Sequence, residues 1–65
     1  MPYLRREQIT SGSLLSIEEF GLCIVLKPLI DINCMNWVEV LLVNGDIEYL
    51  NLNCILEEEL IARTN

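Results

Sequence analysis

Short apolar runs separated by turn-forming residues dominate the pattern of the chain. The clearest runs cover residues 14–17, 22–27, 37–43 and 47–50. They are too short for helices and dense in apolar and β-branched residues, which is typical of strands. Turn signals lie between them at intervals of roughly eight to twelve residues, as in sandwiches and barrels. The pattern predicts an all-β domain that buries its core by curling into a small five-stranded barrel.

The strongest local signal is a β-hairpin centred on Asn44-Gly45. This pair separates the run at residues 37–43 from the run at 47–50. Asn-Gly is favoured in two-residue type I′ turns because both central positions need a positive φ. The sequence therefore predicts a tight type I′ hairpin here.

Other parts of the pattern leave more than one structure open. Pro28 cannot donate to a sheet ladder, so pairing should end, bulge or lie on an edge there. Residues 29–36 are expected to form a connection, and residues 51–54 a single tight turn. Residues 55–61 fit either a closing strand, which suits a five-stranded barrel better, or a short helix with Leu56 and Leu60 four apart.

The domain organisation predicted from these elements is simple. Residues 1–11 are polar and lack periodicity, so they are expected to form an N-terminal arm that Tyr3, Leu4 and Ile9 can pin to a surface. Residues 12–62 form the barrel, and residues 63–65 a C-terminal tail. Sixty-five residues make one domain with a thin core, because so short a chain buries only about 60% of its unfolded surface.

Strand alternation predicts which side chains face water. If Glu39 faces solvent, then Val38, Val40 and Leu42 point inward. If Lys27 faces solvent, then the inward residues of the preceding strand are Leu22, Ile24 and Leu26. The residues left on the outer face form an apolar patch, which is the predicted protein interface: Cys23, Val25, Trp37, Leu41 and Val43. Soluble monomers seldom expose such a patch, so either the N-terminal arm or another protein should cover it.

Charge and composition narrow the class of partner. The net charge is −6, with only four basic residues, which are scattered at Arg5, Arg6, Lys27 and Arg63. Nucleic-acid binding depends on clustered basic side chains that displace counterions, so no nucleic-acid partner is expected. The longest apolar run is far too short to span a bilayer, and the first residues lack the apolar segment of a leader. The expected partner is protein, not membrane.

Candidate chemistry is sparse. There is no histidine, so the usual general base near neutral pH is missing. The three cysteines, Cys23, Cys34 and Cys54, have no C-x-x-C spacing, and an odd number cannot be fully paired within one chain, so reduced thiols are expected. A three-thiolate zinc site would lack its fourth ligand. The glutamates at 57–59 lack the spaced ligands of a calcium loop and are expected to be solvated. The chain is therefore predicted to be no enzyme and to need no metal or cofactor.

Several segments resemble a known family. They are G-S-L-L at residues 12–15, G-L-C-I-V-L at 21–26, V-E-V-L-L-V-N-G at 38–45, I-E-Y at 47–49 and N-C-I-L-E at 53–57. Together they resemble the small SH3-like barrel proteins of tailed bacteriophages, particularly marine and cyanobacterial ones, over about residues 12 to 58. Two departures make this chain more apolar than the pattern: Cys23 replaces a frequent glycine, and Leu42 stands where tryptophan is common.

The resemblance implies an SH3-like barrel of phage origin. Its motifs are specific for the fold and say little about function. Most such proteins have no assigned activity. A virion component (head decoration, neck or tail protein) suits a tiny chain with an arm and an apolar face, in many copies or as a homo-oligomer. The alternatives are an acidic effector that binds and inhibits a host protein, and a nucleic-acid-binding barrel, which the charge disfavours. The expected location is the virion or the host cytoplasm.

Overall fold

A single antiparallel sheet of five strands forms the fold. The computed structural model describes residues 2–30 and 36–63, with the backbone alone at positions 29 and 30. The strands are β1 (Leu14–Ile17), β2 (Gly21–Ile30), β3 (Asn36–Leu42), β4 (Ile47–Asn51) and β5 (Leu60–Ala62). They are joined in the order β4-β3-β2-β1-β5. Three short 3₁₀ helices complete the described chain: Arg6–Gln8, Leu52–Cys54 and Glu57–Glu59.

The sheet curls around its core without closing. A flat sheet would be far thinner in one direction than in the other two, whereas this chain measures 30 × 25 × 23 Å. The end strands β4 and β5 are not hydrogen-bonded to each other within the described residues. The predicted all-β fold is confirmed, and both the strand order and the 3₁₀ turns between β4 and β5 fit an SH3-like arrangement.

The hairpin between β3 and β4 is present, but its turn differs from the predicted one. The Leu42 amide donates to the Asp46 carbonyl at 2.8 Å, and the Gly45 amide donates to the Leu42 carbonyl at 3.0 Å. The loop therefore has three residues, 43–45. The last of them is Gly45, which has a φ of +93°. The Asn44 side chain supports it by accepting from the Asp46 amide at 3.0 Å. This is a three-residue turn with a glycine bulge rather than type I′.

A β-bulge interrupts β2 just before its proline. Val25 lies opposite Val40, and Lys27 lies opposite Glu39, so Leu26 is an extra residue in the ladder. A bulge of this kind changes which face the following residues occupy. Pro28 pairs with Val38 beyond the pairing with β1, which ends at Ile24. This stretch of β2 is therefore open on one side, where a missing amide hydrogen is tolerated.

The predicted register is confirmed for β3 and wrong for β2. Val38 and Val40 are fully buried, and Leu42 packs against the core. In β2 the residues expected outside, Cys23 and Val25, are each only 1% exposed. Those expected inside before the bulge, Leu22 and Ile24, are exposed, and Leu26 is half-buried. The predicted register assumes that side chains alternate between the two faces without interruption from Lys27 back to Leu22. The bulge at Leu26 breaks this alternation.

The N-terminal segment belongs to the core. The buried apolar residues form one cluster: Leu4, Ile9, Leu15, Cys23, Val25, Val38, Val40, Leu52 and Ile55. The Leu4 amide donates to the Ile55 carbonyl at 2.6 Å, and the Gln8 side-chain amide donates to the Glu57 carboxylate at 2.6 Å. Leu4 and Ile9 thus pack into the core and do not lie on the outer face of the sheet.

Residues 52–62 form two short turns followed by a short strand. The predicted tight turn at residues 51–54 is confirmed as the 3₁₀ helix Leu52–Cys54, where the Asn51 side chain accepts from the Asn53 amide at 2.9 Å. A second 3₁₀ turn covers Glu57–Glu59, and only Leu60–Ala62 forms the closing strand. The predicted connection at residues 29–36 is shortened by both flanking strands, and residues 31–35 lie outside the described chain.

Candidate functional site

The structure separates the five residues predicted to form the interface. Cys23 and Val25 are core residues, so their placement on the outer face was wrong. Trp37 and Leu41 are half-buried and occupy the outward positions of β3, since Val38 and Val40 point inward. Val43 is 80% exposed in the turn that follows β3. The outward side of the sheet therefore keeps three of the five, and β2 contributes different residues.

A continuous row of apolar residues crosses the outer face through all five strands. Leu14 on β1 is paired with Ile24 on β2, Ile24 with Leu41 on β3, and Leu41 with Ile47 on β4. At the other end, Leu14 is paired with Ala62 on β5. We call these five residues, Ala62, Leu14, Ile24, Leu41 and Ile47, the outer apolar row. Directly paired residues lie close enough to contact each other, so the row is one surface.

The outer apolar row is open to solvent. Ile24 is 41% exposed and Ile47 is 50% exposed, while Leu14 and Leu41 are half-buried between their neighbours. None of the five packs against the core cluster. Leu22, two residues before Ile24, and Val43, two residues after Leu41, extend the apolar surface towards one end of the sheet. Such contiguous apolar surface is typical of interaction sites.

A polar band borders the row on its other side. Lys27, Glu39 and Tyr49 are paired across β2, β3 and β4. Glu39 raises the pKa of Tyr49, mainly through hydrogen bonding between the two side chains, and the negative charge of Glu39 and slight burial add to the effect. The band gives the apolar row a charged rim, which is the usual anatomy of a protein interface.

Trp37 lies beyond this polar band and outside the row. Its indole Nε1 is buried and has no hydrogen-bond acceptor within the described part of the chain. A buried indole nitrogen is not accessible to a partner, so the N–H of Trp37 takes no part in the outer surface. The residue is therefore peripheral to the outer apolar row.

Sequence reasoning missed four residues of the row, Leu14, Ile24, Ile47 and Ala62, and the first three were missed for different reasons. Ile24 was placed inside because the bulge at Leu26 was not anticipated. Leu14 stands next to Leu15, and two consecutive leucines carry no alternation. Ile47 was missed because the predicted two-residue turn pairs it with Leu42, an inward residue, whereas the three-residue turn of the structure pairs it with Leu41.

The cysteines differ sharply in environment. Burial raises the pKa of the Cys23 thiol, whose sulfur donates to the Gly21 carbonyl at 3.4 Å. Cys54 is exposed, and neither of these two cysteines forms a disulfide. Cys34 falls outside the described residues. Within residues 2–30 and 36–63 no group of three or more acidic, cysteine or histidine side chains is arranged to hold a metal ion.

Comparisons with known proteins identify no related protein or family. No protein-family model, no curated protein and no solved structure matches this chain. In the described part of the chain, no helix has the length and apolar character needed to cross a membrane. The outer apolar row is therefore the main basis for a functional proposal.

Proposed function

We propose that the chain is a non-enzymatic protein-binding module that docks through the outer apolar row. The observation that carries this proposal is the alignment of five apolar residues, one from each strand, on the solvent side of the sheet. Burying a fully exposed large aliphatic side chain contributes about 1.5–3 kcal/mol, and covering Ile24 and Ile47, which are 41% and 50% exposed, provides roughly half of that for each. These residues do not contribute to core packing, because their side chains point away from the core.

The charge of the molecule supports a protein partner. Ten acidic residues against four basic ones oppose the approach of a phosphate backbone or an anionic lipid surface. A protein partner can match both parts of the face, with apolar side chains over the row and polar groups over Lys27 and Glu39.

We place this module in the particle of a tailed bacteriophage, as a head decoration, neck or tail component. The support is the resemblance of residues 12–58 to small phage barrel proteins, together with a docking face on a very small chain. A component of this kind occupies equivalent positions on a larger assembly and is present in many copies. The outer apolar row would then be buried against another particle protein or a second copy of the chain.

Mass spectrometry of purified particles from the phage that encodes the chain tests this placement. We expect the chain at a fixed ratio to the major particle proteins, with cross-links from Lys27, which borders the row. Absence from the particle, together with recovery of the chain on a host protein from infected cells, would overturn the placement and favour an inhibitory effector instead.

A further inference from the structure

A cavity of about 160 Å³ opens at the side of the sheet opposite the outer apolar row. It lies between the β1–β2 loop, the end of β4 and the segment that carries the last two 3₁₀ helices. The cavity occupies the gap where the curled sheet fails to close. Two short 3₁₀ turns join β4 to β5, and the two strands are not paired within the described residues, so no strand of residues 2–30 and 36–63 fills this space.

The interior of the cavity is apolar. Ile17, Phe20 and Leu50 line it, and these three side chains also pack against the core cluster. Ile55, itself a buried core residue, completes this surface. These residues hold their positions through core packing, so the cavity is a built part of the fold.

The rim of the cavity is acidic. Glu19 from the β1–β2 loop and Glu59 from the last 3₁₀ helix both line it. One carboxylate oxygen of Glu59 accepts from the Leu56 amide at 2.7 Å, which fixes this side chain at the rim. No lysine or arginine of the described chain lines the cavity, so its negative charge is not neutralised from within.

The volume limits what can enter. Sites for small-molecule ligands and cofactors are usually about 300–1,000 Å³, well above this cavity. An apolar cavity of roughly 150 Å³ holds one benzene molecule. The space therefore suits one long side chain rather than a metabolite.

We propose that this cavity receives one arginine side chain from an extended segment of a partner protein. The aliphatic stem would contact the apolar interior, and the guanidinium would meet the carboxylates of Glu19 and Glu59 at the rim. Arginine suits the site better than lysine, because its planar guanidinium presents several N–H donors that can bind two carboxylates at once. The site shares no residue with the outer apolar row, so it is a second, independent binding site.

A peptide titration followed by amide NMR tests the proposal on the full chain. The probe is the acetylated and amidated peptide Gly-Ala-Leu-Arg-Leu-Ala-Gly, and the matched control replaces arginine with uncharged citrulline. We expect saturable shifts at Phe20, Leu50 and Ile55, and binding about fivefold weaker for the citrulline peptide, because a charge-assisted hydrogen bond is lost. Equal binding of both peptides, shifts confined to the outer apolar row, or no shifts at several millimolar peptide would overturn the proposal.

Matched charge variants separate the cavity from general attraction to an acidic protein. Glu19→Gln and Glu59→Gln should each weaken binding about threefold, as expected for a partly exposed ion pair. Glutamine at position 59 keeps the oxygen that accepts from Leu56, and Glu19 makes no such bond, so both variants should fold. Glu7→Gln, which removes the same charge outside the cavity, should have no effect. If Glu7→Gln weakens binding as much as the other two, the cavity is not the site.

Discussion

Ile24 on β2 lies directly opposite Leu41 on β3, with both side chains on the outer face of the sheet. The next pair in the same ladder, Val25 opposite Val40, points into the core, where both residues are buried. Two consecutive pairs therefore divide the sheet into an outer face and a core face. Substitutions that differ by a single position along β2 should have opposite consequences.

An aspartate at position 25 should unfold the domain, whereas an aspartate at position 24 should not. Val25→Asp places an unpaired charge in the core, which costs several kcal/mol in a fold stabilised by only about 5–15 kcal/mol. Ile24→Asp leaves the carboxylate in solvent and should cost about 1 kcal/mol through lower strand propensity. Circular dichroism and urea unfolding measure both. If Ile24→Asp unfolds and Val25→Asp does not, the register described for β2 is incorrect.

The N-terminal arm should contribute to stability like a core element. Leu4 is 3% exposed and belongs to the core cluster, so Leu4→Ala should lower the free energy of unfolding by about 2–5 kcal/mol. The neighbouring Tyr3 is exposed, and Tyr3→Ala should change it by about 0.5 kcal/mol or less. Urea denaturation compares the two variants. Equal and small effects would mean that the arm does not pack as described.

The hydrogen bond between Tyr49 and Glu39 predicts a specific pH dependence. The pKa of Tyr49 is raised above its ordinary value of 10.0, mainly through hydrogen bonding between its side chain and that of Glu39. The bond favours the neutral phenol, so its contribution to stability is present below pH 10 and is lost as pH rises through the folded pKa. Glu39→Gln should therefore lower the pKa of Tyr49.

Phenolate absorbance measures this shift most cleanly in a Tyr3→Phe background, where Tyr49 is the remaining tyrosine. We expect the titration midpoint to fall when Glu39 is replaced by glutamine. An unchanged midpoint would show that the two side chains do not interact in solution.

The fold class and the β3–β4 hairpin were predictable from the sequence because they depend on local signals. Apolar runs of strand length and the Asn-Gly pair indicated four strands and one hairpin, and a closing strand over residues 55–61 was one of two alternatives. The turn type was not predictable from that pair. In the structure Asn44 acts through its side chain on the Asp46 amide, and Gly45 alone takes up the positive φ of the bulge.

The outer face was only partly predictable, because one extra residue reverses alternation. The bulge at Leu26 has no sequence mark of its own beyond the nearby Pro28, which allowed an end, an edge or a bulge. The inward and outward residues of β3 were predicted correctly from the position of Glu39, because β3 is a regular strand. Those of β2 were predicted incorrectly from Lys27, because β2 contains a bulge. The role of Leu4 and Ile9 in the core also depends on long-range packing, which a short polar segment does not reveal.

Incorporation into phage particles tests the proposed docking function of the outer apolar row most directly. The double variant Ile24→Thr/Ile47→Thr removes two apolar side chains while keeping β-branched residues, so the fold should persist. The exposed arm variant Tyr3→Thr, outside the sheet face, is its matched control. Quantitative mass spectrometry of purified particles should find the wild-type chain and Tyr3→Thr at equal copy number. The double variant should be at least about tenfold depleted, because two lost contacts weaken binding by more than 1.4 kcal/mol. A folded double variant present at wild-type copy number would contradict the account.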